Sequence, residues 1–202
     1  MAPNENIDSL VLISGGPLST TLLYSSIASG DKPLALHYIM KSRDLSTSEN
    51  ASKEIASEAK VTFRTLNVDE RNLDFNSRIM ATIIREFMGN DEEKERQIGP
   101  AILISMTVTY AIKNHIPKVY FSLGGEDKYD FNAIDNINKI LEHHNCQILT
   151  PFRGKKSSDI IEESRKLKIP IDKTWACETP TLKGTECEIC YKCKIKKKYL
   201  NK

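Results

Sequence analysis

Cys177, Cys187, Cys190 and Cys193 follow a Cys-x9-Cys-x2-Cys-x2-Cys spacing near the end of the chain. Thiolates two residues apart on a tight turn, joined by a fourth from a short loop, can close a tetrahedral cage around a soft metal. Structural Zn2+ is the first expectation. An iron–sulfur cluster uses a similar Cys-x2-Cys-x2-Cys run, and disulfides would need an oxidising compartment. The fifth cysteine, Cys146, stands beside an apolar segment and reads as a small buried hydrophobe.

A second constellation lies near the start, where an apolar run ending at Ile13 meets Ser14-Gly15-Gly16-Pro17-Leu18-Ser19-Thr20-Thr21. Two glycines let a backbone turn sharply and approach an anion, while hydroxyls and a helix N-terminus aim donors at negative charge. Ser14, Gly15, Gly16, Ser19 and Thr20 are therefore the expected phosphate contacts. A plain turn with Ser19 as a helix cap is the alternative. The segment fits neither Gly-x4-Gly-Lys-Ser/Thr nor Gly-x-Gly-x-x-Gly.

Glu126 and Asp127 are the nearest acidic candidates for a hard cation such as Mg2+. Lys155 and Lys156 follow Gly154 in a loop, where an ammonium could neutralise a leaving pyrophosphate or simply face solvent. His37, in an apolar strand, could titrate in a pocket or be a satisfied half-buried histidine. Trp175 reads first as packing that seats the cysteine lobe on the sheet, and second as an aromatic face that could stack a purine. His143 and His144 end a helix, where cations complement the dipole.

The elements that must position these groups alternate between short apolar runs and longer helical patterns, as strand–helix units of a parallel sheet do. Expected strands are 10–13, 34–38, 61–68, 118–123 and 147–149. Expected helices are 20–29, 48–60, 77–88, 100–115, 131–144 and 157–167, with Gly30 closing the first, Ser48 capping the second and Pro100 in a first turn. The charged stretch from Asp91 to Arg96, without apolar periodicity, reads as a loop or a helix end. The fold class is α/β, a doubly wound and mostly parallel five-stranded sheet whose ligands lie beyond the carboxyl ends of the strands.

With 202 residues the chain can bury a real core, and 40% hydrophobic with 28% charged residues excludes a disordered class. A net charge of +2 argues against a globally basic nucleic-acid surface. Lys192, Lys194, Lys196, Lys197, Lys198 and Lys202 make the final stretch locally positive, which reads first as a solvated terminal helix. No apolar run approaches membrane-spanning length, and residues 1–6 lack the features of a signal peptide. A cytoplasmic protein with reduced thiols is expected.

The glycine turn resembles the pyrophosphate loop of the PP-loop ATP pyrophosphatases, which carry Ser-Gly-Gly-x-Asp-Ser. Within that superfamily the chain resembles the 7-cyano-7-deazaguanine synthase (QueC) family over most of its length. The strongest stretch is Thr150-Pro151-Phe152, the helix 157–167, Ile169-Pro170, then Thr174-Trp175-Ala176-Cys177 and the three further cysteines. The resemblance implies an adenine nucleotide α-hydrolase-like domain over residues 1–150, with a helical, four-cysteine zinc region over residues 151–202 packed on it. It also implies ATP, Zn2+ and Mg2+ as cofactors, a second active-site loop at 123–127 with Asp127 as its acid, and a tendency to homodimers. The implied reaction adenylates the carboxylate of 7-carboxy-7-deazaguanine for attack by ammonia, with Asp127 and Lys155 as the catalytic candidates.

The chain departs from that pattern at four places. Leu18 replaces the loop aspartate, 37–41 reads His-Tyr-Ile-Met-Lys, 97–100 lacks arginine and asparagine, and 128–131 reads Lys-Tyr-Asp-Phe. A leucine offers no oxygen to magnesium. Two further readings therefore stand: a relative that binds a nucleotide or deazapurine without cleaving ATP, and a PP-loop enzyme acting on tRNA through its lysine-rich tail.

Overall fold

The computed structural model describes residues 6–40, 46–68, 98–124 and 131–200. The expected helix 77–88, the loop 91–96, and Glu126 and Asp127 lie outside the described residues. Five strands, β1 (Ser9–Leu12), β2 (Pro33–Met40), β3 (Thr62–Val68), β4 (Lys118–Tyr120) and β5 (Gln147–Leu149), form one sheet in the order β3-β2-β1-β4-β5. Every pairing is parallel, with Ser9 level with Pro33 on one side and with Lys118 on the other. The α-helices among the described residues are α1 (Pro17–Ala28), α2 (Ser46–Glu58), α3 (Ile98–Lys113), α4 (Phe131–Leu141), α5 (Ser157–Lys166) and α6 (Tyr191–Leu200).

Side chains alternate across the pleat, so each strand feeds two cores. Leu10, Leu34, Leu36, Val119 and Ile148 face α3 and α4, against Ile104, Val108, Ile134 and Ile137. Val11, Ile13, Ala35 and Tyr120 face the opposite way, meeting Leu22 and Leu23 of α1, Ile55 of α2, and Phe152 with Ile160. Both faces are covered, which is why the strands read as apolar runs rather than as alternating ones. The doubly wound expectation holds.

The strand order reverses beside β1, and the crevice at such a switch point lies at the carboxyl ends of β1 and β4. These ends are the glycine turn after Ile13 and the segment entering Gly124. Boundaries differ modestly from expectation. Helix α1 starts at Pro17 rather than Thr20 because proline suits the first helical position. Strand β4 stops at Tyr120 rather than Leu123, where pairing with the short β5 ends. Ser48 lies inside α2 rather than at its cap. Gly30 closes α1 at φ +91°, donating its N–H to Ile27.

Candidate functional site

The sulfur atoms of Cys177, Cys187, Cys190 and Cys193 all lie within 4.8 Å of one another. A tetrahedron with zinc–sulfur bonds of about 2.3 Å has edges of about 3.8 Å, and the Cys187–Cys193 sulfur separation is 4.0 Å. Successive amides point at the sulfurs. Cys187 N–H donates to Cys177 Sγ at 3.2 Å, Cys190 N–H to Cys187 Sγ at 3.3 Å and Cys193 N–H to Cys190 Sγ at 3.4 Å. Such donors stabilise thiolates and orient them. The Thr179 hydroxyl and the amides of Cys190 and Ile189 bring the Cys187 thiol down to about 6. Burial pushes Cys193 up to about 12, and coordination to a cation would favour its thiolate. Four sulfur donors within 4.8 Å of one another, one pair close to the tetrahedral edge, fit one soft metal ion. Cys146, by contrast, is buried away from them, and burial raises its thiol to about 11.

From Cys177 the chain leads directly back to the glycine turn. Trp175 N–H donates to the Gly15 carbonyl at 2.8 Å, and its indole Nε1 donates to the Cys177 carbonyl at 3.1 Å. On either side, Lys196 Nζ donates to the Thr174 carbonyl, and Ala176 N–H donates to Glu186 Oε1 at 3.0 Å. Lys196 and Glu186 close the circle as an ion pair at 2.9 Å, their side chains 10% and 22% exposed. Lys196 was expected on a solvated helix face. It turns inward instead, since Cys193, Lys196 and Tyr199 recur at helical spacing and form the buried stripe of α6.

The turn itself is tightly packed. Gly15 adopts φ +80°, and a Cβ there would stand 2.7 Å from the Ser48 carbonyl oxygen of α2. Gly16 is the N-cap of α1, without a side-chain cap, and Pro17 takes the first helical position. The first-turn amides therefore face outward without a side-chain acceptor. Ser14 N–H donates to Ser19 Oγ at 3.2 Å, and Ser19 Oγ donates to the Gly16 carbonyl at 3.1 Å. The Thr20 hydroxyl also turns back to the Gly16 carbonyl, at 2.8 Å. Ser14 is exposed, whereas Ser19 and Thr20 are buried. Leu18 packs, half-buried, against the Val11 and Ile13 cluster.

Beneath the turn, His37 Nδ1 lies 2.8 Å from the Ile13 carbonyl and 3.2 Å from Ser52 Oγ. A carbonyl only accepts, so Nδ1 carries the proton, and Nε2 is buried without a partner among the described residues. Burial lowers the His37 pKa below its ordinary 6.5. Across the crevice, Gly124 passes so close to Phe152 that a Cβ would sit 2.3 Å from the Phe152 carbonyl oxygen. Lys155 pairs with Glu163 at 2.6 Å, and Glu163 accepts from Ser25 of α1 at 2.8 Å. Ser25 is eight residues beyond Pro17, about 12 Å along the helix from its start. Lys156, His143 and His144 are exposed.

Residues 8–202 match the family described as queuosine biosynthesis protein QueC. The chain belongs to the QueC family. A 7-cyano-7-deazaguanine synthase from Desulfitobacterium hafniense is 24% identical to this QueC-family chain, with 91% of the chain and 87% of that protein covered. One from Archaeoglobus fulgidus is 26% identical, covering 83% and 76%. Among solved structures, the "predicted subunit of tRNA methyltransferase" from Methanocaldococcus jannaschii superposes with a TM-score of 0.52 at 17% identity. It covers 79% of this chain and 76% of that one, and the likeness concerns the fold. No helix among the described residues is long and apolar enough to cross a membrane.

For this QueC-family chain the residue types at the turn and the cysteine cluster were readable in sequence. The bridge between them was not. Its only advance signal was the spacing of Lys196 three residues after Cys193 on a helix whose other lysines face solvent.

Proposed function

We propose that this protein is an ATP-dependent ligase of 7-deazapurine synthesis, adenylating a carboxylate such as 7-carboxy-7-deazaguanine for attack by ammonia. The observation that carries the reading is the turn Ser14–Gly16 at the sheet's switch point, leading into a helix whose first turn has no side-chain cap. Membership of the QueC family and its synthase relatives supports the choice of substrate. Ser14, Gly15, Gly16, Ser19 and Thr20 form the phosphate cradle, with backbone amides as the main donors because Ser19 and Thr20 spend their hydroxyls on the turn itself.

In this reading the carboxylate oxygen attacks the α-phosphorus, a P–O bond to the β-phosphate breaks, and pyrophosphate leaves. Ammonia then adds to the acyl carbon, and AMP departs with the C–O bond's electrons. Amides fixed at a helix N-terminus stabilise the charge that gathers on the departing phosphates. Asp127 serves as cation ligand. Lys155 serves as counter-charge only by leaving Glu163 and swinging along α1 toward the turn. The cysteine cluster holds zinc as a structural ion.

The test is pyrophosphate release from ATP with 7-carboxy-7-deazaguanine and ammonia. Release that depends on the acid supports the ligase, and no release with any carboxylic acid removes it. Leu18, packed toward the core where the family's loop aspartate belongs, favours a second reading in which the site binds a nucleotide without cleaving it. Calorimetric binding of ATP without turnover would select that reading.

A further inference from the structure

The Thr174–Ala176 segment is a strap whose three residues bond in turn to Lys196, to Gly15 and to Glu186. Its two clamping side chains flank metal ligands. Glu186 directly precedes Cys187, and Lys196 lies one helical turn after Cys193. Closing the four sulfurs around an ion therefore sets the base of each clamp. Between the ligands and the turn, the path is continuous and short.

The peptide unit makes this bridge directional. A trans peptide is planar, so its C=O and the following N–H point in opposite directions. Holding the Gly15 carbonyl against the Trp175 amide thus aims the Gly16 N–H away from the strap.

We propose that Glu186 and Lys196 are positioning residues for the glycine turn, clamping the strap so that metal at the cysteines and phosphate at the turn each strengthen the other. The phosphate half rests on the reading of the turn as a nucleotide site. The clamp itself rests on the described bonds alone. Because the ion pair is nearly buried, removing one partner leaves the other charge uncompensated.

Linkage requires that metal and ATP change each other's affinity by one common factor. The test titrates ATP by calorimetry into zinc-loaded and zinc-stripped full-length protein, and measures zinc affinity by chelator competition with and without saturating ATP. The expected common factor is about tenfold, within the usual range of coupling between sites. Glu186→Gln keeps an acceptor for Ala176 but lacks the charge that holds Lys196, and Lys196→Met removes the donor. Both variants are expected to bind one zinc while ATP affinity falls toward the zinc-stripped value, and Lys196→Arg is expected to restore part of it. Equal ATP affinity with and without zinc overturns the proposal, as does full coupling in both variants.

Should zinc-loaded wild type bind neither ATP nor pyrophosphate, the nucleotide reading fails on its own. The clamp is then judged by hydrogen exchange at the Trp175 amide. Protection in zinc-loaded wild type that is lost in Glu186→Gln supports it, and equal protection in both overturns it.

Discussion

The Nδ1 of His37 sits 2.8 Å from the carbonyl of Ile13, the residue at which the first strand becomes the glycine turn. Burial is the largest influence on this imidazole and holds it below 6.5, while the Ile13 bond and Glu49 pull it upward. The folded state therefore binds fewer protons than the unfolded chain beneath pH 6.5. Stability from this group is complete above pH 6.5 and is lost as pH falls from there toward the folded pKa. Melting temperature is expected to drop over that window, and His37→Asn to drop less steeply from its own lower baseline. Parallel slopes for the two proteins between pH 7 and pH 5 would refute the assignment.

Gly15 and Gly16 are adjacent but differ in what they tolerate. Gly15→Ala meets a backbone oxygen at 2.7 Å and a left-handed φ, so a loss of about 2–4 kcal/mol is expected. Gly16→Ala finds its nearest neighbours at 3.6 and 3.7 Å, with φ −83°, so stability should change by less than about 1 kcal/mol. Urea titration distinguishes them. Nucleotide affinity should fall in both, because the second methyl lies on the turn itself.

Leu18→Asp places a carboxylate at the second position of α1. It gives up part of a half-buried leucine's contact with the core, a cost of about 1 kcal/mol, partly offset by the helix dipole. The variant is expected to fold and to release more pyrophosphate with magnesium than wild type does. Identical rates in both proteins would show that the position carries no cation.

Metal analysis should find one zinc per chain and no visible absorption from an iron–sulfur cluster. Stripping the zinc is expected to loosen the segment after Thr174 and to shift the emission of Trp175, the chain's single tryptophan. Cys193→Ser should do the same without a chelator, since this residue is the most buried of the four cysteines. Unchanged emission after complete zinc removal would uncouple the lobe from the strap.

Much of the architecture was legible because it is local. Apolar runs separated by helical patterns specify strands and helices through backbone periodicity, and the Cys-x2-Cys-x2-Cys spacing brings three sulfurs together through a few covalent bonds. Helix α1 was expected from Thr20, yet it starts at Pro17, whose fixed φ suits a first helical position. The lysines show where local reading ends. Lys194 and Lys196 are two residues apart on one helix, yet one is exposed and the other is buried against Thr174 and Glu186.

The sequence by itself determined the order of strand and helix, the turn that can approach an anion, and the four thiols that can share an ion. Tertiary structure decided the partners: the β3-β2-β1-β4-β5 order that opens a crevice beside β1, the pairing of Lys155 with Glu163, and the bond from Trp175 to Gly15. Those contacts join residues 8 to 160 positions apart, and a local pattern does not specify which of many polar groups meet once the chain is packed.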